Sequence, residues 1–452
     1  MYPIIAILVS FVCVGALLYL FKKRPTITDF VLKSMAVAFC IVGLCRFLLA
    51  DGFVETVFDF ANPLQSLLRW GYYISYATVP MAIFTESRLM RNIATYFTTS
   101  MALLSMVFMD TAMAHFASSE AAGIHLPEWL RFLYYTLELS LAFATPILGA
   151  ICNHHVIDYK NRKEWLCLAV GLPAILLQMM PVYIPQSLVG YTDIPYGSFS
   201  PFHLGWIGLL VLECIGLTLV FRNKSEKDKY NLLLFLVIAQ LYHTCSIFLR
   251  GFTPHRMPIQ LCSIAAFFYL FTVITRSRRV FGFCFLANIV GALIAIALAA
   301  FDIGALAFWT LHYIYEHTFV MLMPILAAAL GVFPRMERKD LYNALKIFAI
   351  YFVCCLVAGS IINGISGAYT VNYFYMFNYN VALEYIPFAT FTGALKIPFI
   401  NITLYPILIV VILVVFNLLI IGFYAAMQGI YRLKDAIASK HTAPVESETV
   451  NA

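Results

Sequence analysis

Charge is what this sequence has least of. Asp, Glu, Lys and Arg make up 12% of its 452 residues, and apolar residues 62%. A soluble domain carries about twice that share of charge, so a water-soluble globule is excluded. Metal and disulfide frameworks are missing as well. The eleven cysteines form no CxxC and no Cys/His ligand spacing, and most lie inside apolar runs. That removes a zinc site and a disulfide scaffold. No Gly-x-Ser-x-Gly elbow, P-loop, HExxH or dinucleotide fingerprint occurs in a usable context, and no cofactor is expected. The net charge of +6 is modest, and its placement speaks to topology rather than to nucleic acid.

What the chain has in quantity is apolar sequence. About thirteen runs approach the roughly 20 residues that a spanning helix needs. They fall near 3–21, 30–49, 63–86, 92–110, 129–151, 164–184, 203–222, 230–249, 258–275, 280–301, 307–333, 341–363 and 402–427. The sequence therefore predicts an all-α, polytopic membrane protein. The first run lacks a basic segment before it, and Lys22, Lys23 and Arg24 follow it, so it reads as a span and not as a signal peptide. Basic residues cluster on alternate loops, at 22–24, 88–91, 160–163, 222–229, 276–279, 335–339 and 432–434. By the positive-inside rule those loops are cytoplasmic, with the N-terminus outside and the C-terminus inside. The polar tail after Arg432 is expected to be disordered.

An internal repeat runs through the chain. LYYTLELSLAFATPIL at Leu133 lines up with LHYIYEHTFVMLMPIL at Leu311. Each is followed by a basic turn, NRKEW at Asn161 and ERKDL at Glu337. NPLQSL at Asn62 resembles MPIQLC at Met257, and FLLADGF at Phe47 resembles FLRGF at Phe248. Each half holds about six helices, an even number, so the two repeats are parallel. The expected division is an extra N-terminal helix (1–29), a silent first repeat (30–224), an active second repeat (225–432) and a cytoplasmic tail (433–452).

The halves differ where chemistry is possible. Gln65 and Gln260 correspond, as do Glu138 and Glu316. Cys262 and His317, by contrast, face Leu67 and Leu139 in the first half. Pro258 suits the first turn of a helix, which places Cys262 near a helix N-terminus, with His255 and Arg256 just before it. That position favours a thiolate. A Cys–His pair is a nucleophile and a general base, so Cys262 and His317 are the candidate catalytic residues. Ionisable residues in a membrane are functional candidates by default, which adds His312 and Glu316. Arg46, Arg250 and Arg256 lie on the outer side and suit a phosphate. Gln260, Asn372, Tyr373 and Tyr375 complete the set expected to meet a lipid headgroup.

The stretch Met257-Pro258-Ile259-Gln260-Leu261-Cys262 resembles a Leu-Pro-x-His-Leu-Cys motif that opens a helix in the YwaF-type bacterial membrane proteins. His317 and the run Gly367…Asn372-Tyr373-Phe374-Tyr375 match two further features of that family, and the resemblance covers roughly residues 225–430. The family looks distantly related to a eukaryotic transmembrane acyltransferase that remodels ether phospholipids through a catalytic cysteine. Gln260 departs from the family's His at that position. The resemblance implies a six-helix unit and acyl transfer through a Cys262 thioester. The partner expected is a membrane phospholipid or another acyl lipid. The alternative reading is a lipid or small-molecule transporter or flippase built from two parallel repeats. An assembly partner for another membrane protein is a third. Transport would draw on both Glu138 and Glu316.

The topology is testable with an impermeant maleimide on intact cells. Ser366→Cys should label beyond the level of the parent chain and Ser225→Cys should not; the opposite pattern reverses the orientation.

Overall fold

The chain is described from a computed structural model. Its described residues are 1–49, 58–109, 126–152, 160–190, 195–250, 257–297, 301–366, 371–377, 393–397 and 402–442. The fold is all-α and belongs to a multi-pass membrane protein. Helices α1 (Tyr2–Lys23), α2 (Thr28–Leu49) and α3 (Pro63–Phe84) come first. Next are α4 (Arg88–Asn92) and α5 (Thr99–Val107), joined by a π-helical turn at Ile93–Thr98. They are followed by α6 (Glu128–Cys152), α7 (Arg162–Met179), α8 (Tyr183–Val189), α9 (Pro201–Phe221), α10 (Glu226–Cys245) and α11 (Leu261–Thr275). A second π-helical turn, Cys284–Asn288, joins α12 (Arg278–Phe283) to α13 (Ile289–Ala297). The last helices are α14 (Phe308–Ala329), α15 (Arg338–Ser366) and α16 (Pro406–Thr442).

Each of the thirteen apolar runs holds helix. Among the described residues, eight helical stretches are long and apolar enough to cross a membrane. The count is nine if α7 and α8, bent by 100°, form one span. Helices α3 and α14 fall outside this set because they carry polar side chains inward, among them Arg69, Glu316 and His317. At 15 residues, α11 is apolar but shorter than those eight stretches. Two short antiparallel pairs accompany the helices, β1 (Pro195–Tyr196) with β2 (Phe301–Gly304) and β3 (Leu395–Ile397) with β4 (Ile402–Leu404).

The chain forms two compact units, residues 1–275 with 294–332, and residues 276–293 with 333–452. Their boundary falls inside the predicted second repeat. In the first unit α10 and α6 are the most buried spans, and α9 is almost bare. Leu204, Leu209, Leu212, Ile215 and Leu219 on α9 are all more than half exposed. A large exposed apolar face on a spanning helix is the expected signature of lipid contact.

At the centre of the first unit is a buried ion pair. Arg46, near the end of α2, pairs with Glu138 in the middle of α6. Tyr76 of α3 donates to the same carboxylate at 2.8 Å. The Arg46 guanidinium lies over the rings of Tyr72 at 4.7 Å and Tyr135 at 5.1 Å. Tyr76 also stacks on Tyr242 of α10, with ring centroids 4.7 Å apart. Gly43 makes this approach possible, since a Cβ there would sit 2.6 Å from the Tyr76 ring. Arg46 therefore ties α2, α3 and α6 together. The phosphate-binding role read for it in the sequence gives way to this structural one, because its charge is already met by Glu138.

The second unit has its own anchors. Arg278 forks onto Asp340, with Nε 3.1 Å from both carboxylate oxygens and Nη2 2.7 Å from one. Phe281 stacks on Phe333 at 4.0 Å, and Phe348 of α15 on Phe416 of α16 at 4.8 Å. Helix α16 runs on through Thr442. It passes Arg432, after which the sequence suggested disorder, because Leu433, Ala436 and Ile437 continue a helix-forming pattern.

Several features recur in the two halves. Both π-helical turns follow a short helix that starts with Arg, at Arg88 and at Arg278. Arg88 pairs with Glu164 at the start of α7, as Arg278 pairs with Asp340 at the start of α15. Glu164 and Asp340 occupy matching places in the NRKEW and ERKDL turns. Pro146 and Pro324 sit inside the two glutamate-bearing helices, α6 and α14.

Breaking one side of a buried ion pair leaves an uncompensated charge, at a cost of roughly 3–5 kcal/mol. Arg46→Met and Glu138→Leu should each lower the Tm of the detergent-solubilised chain, and the double variant should recover much of the loss. A double variant no better than the worse single would show that the two side chains do not depend on each other.

Candidate functional site

Three helices of the first unit, α10, α11 and α14, meet around Glu316. The chain enters α11 through a turn at 257–260, where the Ile259 N–H donates to the Met257 carbonyl at 2.7 Å. The first helical bond runs from Ile264 N–H to the Gln260 carbonyl at 2.9 Å. Helix α11 therefore starts at Leu261, three residues later than Pro258 suggested, and Cys262 is its second residue. The half-buried Cys262 Sγ lies 3.8 Å from Ser263 Oγ.

Helix α14, which carries Glu316, packs on α10 and α11. Thr244 of α10 donates its hydroxyl to Glu316 Oε1 at 3.2 Å. His312, one turn before Glu316, holds Nε2 4.0 Å from Oε2. Its ring stacks on His243 of α10 at 4.3 Å. Glu316 is 5% exposed, so the carboxyl is closed off from bulk solvent, with the Thr244 hydroxyl and the His312 imidazole beside it.

His317 turns away from Glu316 by one residue, about 100° around the helix. Its Nδ1 lies 2.7 Å from the Tyr313 carbonyl, and its ring packs on Tyr313 at 3.9 Å. A carbonyl only accepts, so Nδ1 carries the proton and Nε2 is the basic nitrogen. The polar contact of the Cys262 thiol is with Ser263. The structure thus brings Glu316 and His312 of the predicted set together, with His317 on the next residue of α14 and Cys262 in the first turn of the neighbouring α11.

The remaining predicted residues are placed as follows. Gln260 is exposed just before α11. Arg250 ends a 3₁₀ turn at Ser246–Arg250, and Arg256 lies outside the described residues. Asn372, Tyr373 and Tyr375 belong to the second unit. There Asn372 Oδ1 accepts the Phe377 N–H at 2.9 Å and shapes its own loop. Tyr373 is 2% exposed and Tyr375 about half exposed. Asn363 of α15 fixes the start of this loop by holding both the N–H and the carbonyl of Val371 at 2.9 Å.

Thr244 and Ser263 were not singled out in the sequence. A hydroxyl in an apolar helix usually bonds its own backbone four residues back, as Thr218 and Thr275 do here. Thr244 instead reaches a side chain 72 residues away.

The segment that carries this cluster also carries the family relationship. The model of the TMEM164 family matches residues 198–424, half of the chain. The chain belongs to the TMEM164 family. No curated protein and no solved structure matches it. The TMEM164 match opens just before α9 and closes within α16, so it takes in Cys262, Glu316, His317 and Asn372. The Arg46–Glu138 pair lies in the part of the chain before it.

Proposed function

We propose that this protein is a membrane-embedded lipid acyltransferase or transacylase, with Cys262 as nucleophile and His317 supplying general-base chemistry. The observation that carries the reading is the Cys262 thiol in the first turn of α11, a helix that packs on α14. On α14 stands the His317 imidazole, whose Nε2 is set by its backbone bond to accept a proton. A thiol attacks an ester carbonyl, forms a thioester, and yields the acyl group to an acceptor hydroxyl or amine. A membrane lipid ester is the acyl donor this chemistry calls for, on the outer face under the orientation that the basic loops imply. The resemblance of the Met257–Cys262 stretch to the cysteine motif of the YwaF-type proteins points the same way. So does that family's link to a cysteine-dependent phospholipid acyltransferase. Transport through two matched acids is the weaker reading, because Glu138 is already engaged by Arg46 and Tyr76.

Acyl transfer between labelled phospholipids in reconstituted vesicles tests this. Cys262→Ala should abolish turnover, and Cys262→Ser should nearly do so, since a hydroxyl is a far weaker nucleophile than a thiolate. His317→Ala should lower the rate by about 10²–10⁴-fold. Full turnover in Cys262→Ala would end the covalent reading.

A further inference from the structure

Helix α9, almost bare on its outer side, leaves room behind it. Between α9 and α14 lies a cleft of about 250 Å³, with Ile296 of α13 in its lining. We propose that this cleft seats one acyl chain of a membrane phospholipid beside His317. The inference deepens the acyl-transfer reading and rests on it for the role of His317.

A row of side chains on each helix makes the cleft. On α9 the row is His203, Trp206, Ile207 and Leu210. Their spacing is i, i+3, i+4 and i+7, one face of a helix, and it covers about 10 Å along the axis. Leu212, Ile215 and Leu219 point the other way and are more than half exposed. The same helix therefore meets the bilayer with one face and the cleft with the other, and a lipid chain reaches the cleft by passing around this one helix.

On α14 the row is Tyr313, Ile314 and Thr318. His317 is four residues from Tyr313 and three from Ile314, so it shares their face. Its ring packs on Tyr313 at 3.9 Å. Glu316 and His312 turn instead toward α10, where Thr244 and His243 meet them. It is the imidazole of His317, and not the carboxyl of Glu316, that adjoins the cleft.

The chemistry of the walls selects the occupant. Apart from His203, no lining residue is acidic or basic. Trp206 Nε1 donates to the Thr318 hydroxyl at 3.1 Å, and the Tyr313 hydroxyl donates to the Ala295 carbonyl at 2.8 Å. His203 Nδ1 accepts the Phe199 N–H at 2.8 Å. These bonds tie the walls to their own surroundings, and what the walls offer a ligand is carbon surface. A polar headgroup would give up its water there without replacement, whereas a hydrocarbon chain gives up nothing. The volume falls short of the roughly 300–1,000 Å³ that encloses a whole small molecule. It suits a stretch of one chain, with the headgroup left outside. Lipid tails are as apolar as leucine, so burial alone does not hold a chain here. Close contact with the two rigid rings, Trp206 and Tyr313, does.

The test uses the full chain in phosphatidylcholine nanodiscs doped with a phospholipid that carries a diazirine on one acyl chain. After irradiation, labelled peptides are mapped as the mole fraction of probe rises. Labelling at Tyr313 and Ile314 should saturate at a low mole fraction, while labelling at Leu212, Ile215 and Leu219 should rise in proportion to it. Proportional labelling at both places, or none at Tyr313 and Ile314, overturns the proposal. This arm needs no variant. In a second arm, Ile207→Trp fills the cleft from the half-buried side of α9 and should lower labelling at Tyr313 and Ile314 by about tenfold. The outer leucines should label as before. Undiminished labelling at Tyr313 and Ile314 in a folded Ile207→Trp chain also overturns the proposal. Saturable labelling of the cleft without acyl transfer would sink only the acyltransferase reading. Acyl transfer by a chain whose cleft does not saturate would sink only this one.

Discussion

A charged side chain inside a membrane must be neutralised or satisfied by its neighbours, and the placement of two glutamates organises this protein. Glu138 is met by Arg46 and Tyr76. That meeting draws α2, α3 and α6 together, and the Tyr72 and Tyr135 rings cover the guanidinium. Glu316 stands in the equivalent sequence position of the second half. Its partners are the Thr244 hydroxyl and, 4.0 Å away, the His312 imidazole. The first arrangement is full charge compensation and leaves little to react. The second gives the carboxyl no arginine or lysine partner among the described residues.

The contrast suits the proposed division of a repeated framework into one silent and one reactive copy. Arg88 with Glu164, and Arg278 with Asp340, set the same helix pair in each half. The two π-helical turns fall at matching points on the chain. Turns of this kind recur at functional sites, and here they add a residue to the helix beside each glutamate-bearing partner in sequence. What separates the halves is a handful of side chains: Leu67 against Cys262, and Leu139 against His317.

Much of this was legible in the sequence, because long apolar runs leave little choice of secondary structure. All thirteen runs hold helix, and the Glu138–Glu316 match falls on helices α6 and α14 that share an internal proline. The start of α11 was misread, since Pro258 belongs to a turn closed by Ile259 and Met257 rather than to the helix. The π-helical turns have no residue signature and were not foreseen. The Thr244–Glu316 bond was also hidden, since adjacent residues on a helix point about 100° apart and only the packing of α10 on α14 decides which of Glu316 and His317 meets Thr244. Likewise the sequence could mark Arg46 as a charge near the outer surface, but not that Glu138 already held it.

The account centres on Cys262 as the single reactive thiol among eleven cysteines. The most direct measurement is peptide-resolved mass spectrometry of the purified chain after incubation with isotopically labelled phospholipid, quenched at acid pH to preserve thioesters. The account predicts a labelled acyl group on the peptide bearing Cys262 and on no other cysteine peptide, with greater occupancy in His317→Ala, where transfer to the acceptor stalls. Labelled acyl groups spread over the exposed cysteines Cys13, Cys167 and Cys354, with none on Cys262, would contradict it.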